Sequence, residues 1–150
     1  MKTMSNNNKS WDGLYAEYPD LFKNKNKTPR ESPMSFGIEC GIGWYAIIRS
    51  VCSMIYNHEE NISYRIKTMN KFGKENDQSD LNYVPVTFDQ IKEKFGGLRI
   101  YFSGGDDYIN GLVSMAETFS YNICEVCGNS GKPNKNGYIS VLCDEHREER

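Results

Sequence analysis

The chain has 150 residues, 38% hydrophobic and 25% charged, a composition that suits one ordinary soluble domain and excludes two separate cores. Its formal net charge is −2 and its sequence pI near 5.7, so the chain as a whole is no polycation for nucleic acid, although a local basic face stays open. No apolar run reaches the length of a membrane span, and the opening MKTMSNNNKSWDG has no apolar stretch of the signal-peptide kind.

The chain reads as a polar, disordered segment over 1–10, then a single α+β domain over 11–150 whose last part, 121–150, is a zinc-binding subdomain. From Trp11 to Phe22 the apolar residues Leu14, Tyr15, Tyr18, Leu21 and Phe22 recur at helical spacing, and Pro19 ends the helix. KNKNKTPRESP (23–33) is a basic loop rich in breakers. In FGIECGIGWYAIIRSVCSMIYNHEE, Trp44, Ile47, Ile48, Val51 and Ile55 mark one face of an amphipathic helix after a Gly-rich entry. Ile62, Tyr64 and Ile66 alternate, which predicts a strand over 62–68, followed by the polar loop KENDQSDLN.

VPVTFDQIKEKFGGLRIYFSGG has two readings. Phe88, Ile91 and Phe95 fit one helical face, but Gly96-Gly97 between two runs signals a two-residue hairpin turn, which needs positive φ. With those glycines as the turn, Phe95 faces Leu98, Lys94 faces Arg99, Glu93 faces Ile100 and Lys92 faces Tyr101. One face then carries Ile91, Phe95, Leu98, Ile100 and Phe102, with Glu93 as a misfit. The other carries Lys92, Lys94, Arg99 and Tyr101, a candidate ligand-binding face where cations hold a phosphate and a ring stacks a base. A plain solvated sheet face is the competing reading. Beyond it, Asp106 or Asp107 caps a helix striped by Ile109, Leu112, Val113, Ala116 and Phe119.

That helix leads to CEVCGNSGKPNKNGYISVLCDEH. Cys124-x-x-Cys127-Gly128 reads as a knuckle with the glycine at positive φ, Asn136-Gly137 as a turn, and Tyr138–Leu142 as the returning strand. Cys143-x-x-His146 then sits at a helix start. In a reducing cytoplasm such pairs indicate metal rather than a disulfide, and iron–sulfur binding is a minor rival because His is an uncommon ligand there. Knuckle, hairpin and helix start are the layout of a treble-clef Zn2+ site. Its four ligands, Cys124, Cys127, Cys143 and His146, leave no position for substrate water, so its role is structural.

Catalytic readings are weaker. Zinc deaminases use a His-x-Glu that this chain lacks. His58 is the only histidine besides His146, and a helix-end cap or surface role suits it better than that of a general base. Cys40 and Cys52 have no neighbouring His and read as buried free thiols. CGIGW lacks the Lys and Ser/Thr of a phosphate-binding loop, and the acids of SGGDD read as helix caps.

In order along the chain, YPDLF (18–22), FGIECGIGW (36–44), KEKFGGLRIYF (92–102), AETFSYNICEVCG (116–128) and LCDEH (142–146) resemble a family of uncharacterised tailed-bacteriophage proteins. Members of that family carry Asp where this chain has Ile42, so any function of that acid is in doubt here. The resemblance implies a small viral protein working in the host bacterial cytoplasm and implies no reaction. The expectation is a non-enzymatic accessory protein, stabilised by zinc, that engages a host protein or a small phosphorylated ligand to counter host defence. A zinc-ribbon nucleic-acid binder is the alternative, and a metal-dependent hydrolase stands third.

Overall fold

The computed structural model describes residues 9–148, so most of the expected disorder over 1–10 and the last two residues of the domain lie outside the described residues. In chain order the elements are α1 (Trp11–Glu17), α2 (Tyr45–Lys71), α3 (Gln78–Leu81), β1 (Thr87–Lys94), β2 (Gly97–Ser103), α4 (Asp107–Ser120), β3 (Lys132–Pro133), β4 (Val141–Leu142) and α5 (Asp144–Glu148). This is an α+β arrangement with two small antiparallel sheets, β1–β2 and β3–β4. No described helix is long and apolar enough to cross a membrane.

No glycine or proline interrupts residues 45–71, and α2 runs through all 27 of them. The strand expected over 62–68 is therefore absent. Ile55, Ile62, Ile66 and Met69 continue the helical spacing, and Tyr64, which made the alternation look strand-like, is 70% exposed. What hid the continuity is Glu59, a carboxylate at a seam position between Ile55 and Ile62. It is satisfied there: Tyr83 Oη donates to its Oε2 at 2.6 Å and Val86 N at 2.8 Å. His58 beside it is mid-helix rather than at a helix end. Its Nε2 lies 2.7 Å from Asp106 Oδ2, and its ring stacks on Tyr108 at 4.2 Å.

Trp44, Ile48, Val51 and Ile55 share one buried cluster with Phe88, Ile91 and Leu98 of the hairpin and Ile109 and Val113 of α4. α1 ends at Glu17, before Pro19, and the chain then lays Leu21 and Phe22 into that cluster. The basic segment after it is not wholly solvated, because Asn24 is buried, with Nδ2 3.3 Å from Phe88 O and 3.3 Å from Asp89 Oδ1.

The hairpin is present, but its turn is Phe95-Gly96 rather than Gly96-Gly97. Lys94 pairs with Gly97, Glu93 with Leu98, Lys92 with Arg99, Ile91 with Ile100 and Gln90 with Tyr101. Relative to the expected pairing this is a slip of two residues. Side chains alternate with period two, so an even slip preserves the faces. Lys92, Lys94, Arg99 and Tyr101 still share one side. Phe95, expected on the apolar face, sits at the tip, 73% exposed. A bulge at Asp89 lets both Phe88 and Ile91 reach the core, a three-residue spacing that in sequence imitates a helix.

Both edges of this two-stranded sheet are covered. Leu98 N donates to Ser120 Oγ at 3.0 Å and Ile100 N to Glu117 Oε2 at 2.9 Å, so α4 side chains satisfy the free edge of β2. Along β1, Glu39 N donates to Ile91 O and Glu93 N to Glu39 O, at 2.9 and 3.1 Å. Asp106 caps α4, accepting from Ile109 N, and Ile109, Val113 and Ala116 are buried as the stripe predicts, whereas Phe119 is 53% exposed. Gly111 lies in the middle of α4, and nothing comes within 4 Å of where its Cβ would stand. Gly111→Ala is expected to stabilise the protein by about 0.5–1 kcal/mol, read as a higher denaturant midpoint at unchanged slope.

Candidate metal centre

After α4 the chain has little apolar surface left to fold with, and backbone hydrogen bonds shape it instead. Gly128 N donates to Cys124 O at 2.9 Å and Cys124 N to Asn129 O at 2.7 Å, with Gly128 at φ 85, so Cys124–Gly128 closes as the expected knuckle. The return is shorter than the expected strand over Tyr138–Leu142. Only Val141 and Leu142 pair, with Pro133 and Lys132. Asn134 replaces the rest of the ladder: its Nδ2 donates to Asn136 O and Tyr138 O, both at 2.7 Å, and its Oδ1 accepts from Ser140 N at 2.8 Å. Arg147 Nη2 donates to Leu142 O at 3.1 Å and also to Lys132 O, which ties α5 to both short strands.

These turns bring Cys124, Cys127, Cys143 and His146 together, and their ligand atoms all lie within 4.8 Å of one another. Cys127 Sγ is 3.8 Å from Cys143 Sγ, and His146 Nδ1 is 3.6 Å from Cys124 Sγ and 3.1 Å from Cys143 Sγ. Such a group could hold a metal ion, with His146 offering Nδ1. Burial pushes the Cys124 thiol up, but the backbone N–H groups of Cys143, Cys127 and Val126 outweigh it and bring it down to about 6. Contact with Cys143, then Cys124, raises the His146 imidazole.

The CGIGW segment has a role that its sequence pattern does not announce. A Cβ on Gly43 would stand 2.2 Å from Cys124 O, and one on Gly41 2.3 Å from Glu125 O. Gly43 N donates to Glu125 O and Gly41 N to Glu125 Oε2, both at 2.8 Å. Trp44, fully buried in the core, donates its Nε1–H to Ile123 O at 2.9 Å. The glycines therefore approach the backbone of the knuckle, not a phosphate, and clasp the Cys/His segment to the start of α2. The one hint in sequence is a Gly-x-Gly-Trp run, Gly41 to Trp44, with a glycine directly before the tryptophan.

On the outer hairpin face, Lys92 and Arg99 are cross-strand partners, Lys94 is exposed and Tyr101 is 42% exposed. Arg99 is less free than a surface cation. Its Nη1 donates to Leu98 O at 2.8 Å and its Nη2 to Tyr121 Oη at 3.1 Å. Glu39 borders the same face through its bridge to Lys92. Glu93, the misfit of the apolar face, lies near the tip, where Gly96 N donates to Oε1 at 2.8 Å and Tyr138 Oη to Oε2 at 3.0 Å.

Cys52 is buried and Cys40 half-buried, and burial pushes both thiols up, so neither is poised as a nucleophile. No family model, curated protein or solved structure matches the chain.

Proposed function

We propose that this chain is a non-enzymatic, phage-encoded binding protein in which one Zn2+, held by Cys124, Cys127, Cys143 and His146 in a treble-clef subdomain, supports a cationic hairpin face for a phosphate-bearing ligand. Two readings argue for zinc. Three thiolates and an imidazole are its usual structural donors, and bond lengths of about 2.3 Å to sulfur and 2.0–2.1 Å to nitrogen give tetrahedron edges of about 3.6–3.8 Å. The separations of 3.6 and 3.8 Å fit such a tetrahedron, the 3.1 Å pair must open, and the group, which spans up to 4.8 Å, must draw in as the ion binds. Four protein ligands complete the coordination, so the ion holds the chain rather than activating water. Knuckle, short hairpin and helix start follow one another as in a treble clef.

The observation that carries the binding role is the register of β1–β2, which gathers Lys92, Lys94, Arg99 and Tyr101 on the side away from the core. Arg99, fixed by Tyr121, is preorganised to meet an anion, while Lys92 and Lys94 add charge beside it. In the phage setting implied by the sequence resemblance, the ligand is a phosphorylated small molecule or host component in the bacterial cytoplasm, engaged to blunt host defence.

Titration with inorganic triphosphate at low and moderate salt tests this reading. Binding is expected to be weak and to fall steeply as salt rises. Combining Lys92→Glu with Lys94→Glu should cut affinity about tenfold or more, equivalent to at least about 1.4 kcal/mol, without altering the fold. Salt-insensitive binding, or binding indifferent to both reversals, would remove this face from consideration.

A further inference from the structure

Phe95 is the only non-glycine residue at positive φ among the described residues, at φ 53, and its side chain is 73% exposed. Left-handed backbone is strained for a residue with a Cβ, and the first position of this kind of turn ordinarily takes Asn, Asp or Gly. The ring is not repaid by burial. Strained positions of this kind cluster at functional sites, so an exposed ring at one is a candidate contact.

The neighbourhood of the tip shows what it is held out towards. Ile139 of the β3–β4 loop lies against the turn, its Cγ2 2.6 Å from where a Cβ on Gly96 would stand. Beside it Tyr138, 71% exposed, is anchored by its hydroxyl to Glu93 at 3.0 Å. Two largely exposed rings, from two different hairpins, therefore flank one end of the molecule. Cations border the tip on the face opposite Glu93: Lys94 Nζ lies 5.9 Å from the centre of the Phe95 ring, and the Lys92–Arg99 pair follows behind it. Tyr138 stands across the tip, on the Glu93 side. Of the nearby acids, Glu93 accepts from Gly96 N and Tyr138 Oη, Glu39 is exposed beside Lys92, and Glu117, which accepts from Ile100 N, lies close enough to Arg99 to act on its charge.

We propose that this end of the molecule binds single-stranded nucleic acid, with bases stacking on Phe95 and Tyr138 and phosphates lying along Lys94, Lys92 and Arg99. The proposal rests on the cationic-face reading above and names its ligand class. Exposed rings beside lysines fit a ligand that alternates flat apolar bases with anionic linkages, and every base offers a face to stack, so recognition is sequence-tolerant. An apolar protein surface would gain from the rings but would have to leave the cations unmatched.

The test uses fluorescence anisotropy with a labelled oligothymidylate and an abasic oligomer of equal length and charge. The oligothymidylate is expected to bind more tightly, and Phe95→Asn to weaken it about tenfold while barely touching the abasic chain. Because Asn-Gly suits this turn, the same substitution should hold or raise the thermal midpoint, which separates loss of stacking from loss of fold. Tyr138→Leu should weaken the oligothymidylate selectively as well. Equal binding of the two oligomers, unaffected by Phe95→Asn, overturns the stacking proposal but leaves the cationic face intact. Absence of salt-sensitive binding to either oligomer or to triphosphate overturns both, and is the result expected of a protein-docking surface. A lowered thermal midpoint in Phe95→Asn makes the ring a structural contact and likewise overturns the proposal.

Discussion

Cys127→Ser, or removal of the metal by a chelator, is expected to unfold residues 121–148 while α2, the β1–β2 hairpin and most of α4 persist. Within 121–148 only Cys124, Ser140, Val141 and Leu142 are buried, and β3–β4 contributes two residue pairs. That is far too little apolar surface to stand alone, so under the zinc proposal the ion takes the place of a core. For structural zinc in small domains the apparent binding free energy is about 10–16 kcal/mol, comparable to the whole stability of an ordinary domain. One missing thiolate therefore removes the fold of this segment rather than weakening it. The clasp provides a distant reporter, because Trp44 Nε1 is bonded to Ile123 O at the edge of the metal segment. In a Trp11→Phe background, Trp44 emission should change with metal loss, and hydrogen exchange should show protection lost over 121–148. Acid should act in the same direction. Protons compete with the ion for three thiolates and an imidazole, so occupancy falls as pH falls. Elemental analysis showing about one zinc per chain is the companion measurement. A metal-free protein with residues 121–148 still protected, or one with those cysteines joined in a disulfide in the cell, would falsify the structural-zinc assignment.

Gly43→Ala should produce the second large effect, a loss of about 3 kcal/mol or more from one added methyl group. The added carbon would meet Cys124 O at 2.2 Å and Glu125 C and O at 2.5 Å, all backbone atoms that cannot rotate away. Relief requires the knuckle to lift off α2, breaking the Gly43–Glu125 and Trp44–Ile123 hydrogen bonds together. Metal binding should survive, since Gly43 supplies no ligand and Cys124, Cys127, Cys143 and His146 all lie on the one segment that lifts away. Gly13→Ala is the control: it lies in α1 with nothing within 4 Å, so it should be neutral or slightly stabilising. Urea denaturation with metal content measured in parallel checks the pair. A Gly43→Ala protein as stable as Gly13→Ala would mean that the knuckle is not docked through this glycine.

What the sequence determined by itself are the features written in short-range chemistry. The paired Cys-x-x-Cys and Cys-x-x-His spacings single out the four residues that the structure gathers into a group able to hold a metal ion, because each pair is positioned by local turn geometry. Gly128 takes the positive φ that its place after Cys127 demands, and Asp106 caps α4 as its place before a helical stripe predicts. The two-faced character of the β1–β2 hairpin was also legible, since alternation survives an even slip of register. The slip itself was not, because Gly96-Gly97 is a better turn on paper than Phe95-Gly96: Phe95 is a poor residue for the positive φ that it adopts. Tertiary contacts decide between them: Tyr121 lies over Gly97, where a Cβ would meet its ring at 2.4 Å, and Ile139 lies over Gly96. The full length of α2 was hidden in the same way. Glu59 breaks the apolar pattern in sequence but is sustained in the fold by donors from Tyr83 and Val86, more than twenty residues away. The clasp between Gly41–Trp44 and Ile123–Glu125 joins segments about eighty residues apart, and close backbone approach leaves no periodic trace in a sequence. Local geometry and ligand spacing are properties of neighbouring residues; register, helix length and docking depend on which distant groups arrive to satisfy a charge or fill the space above a glycine.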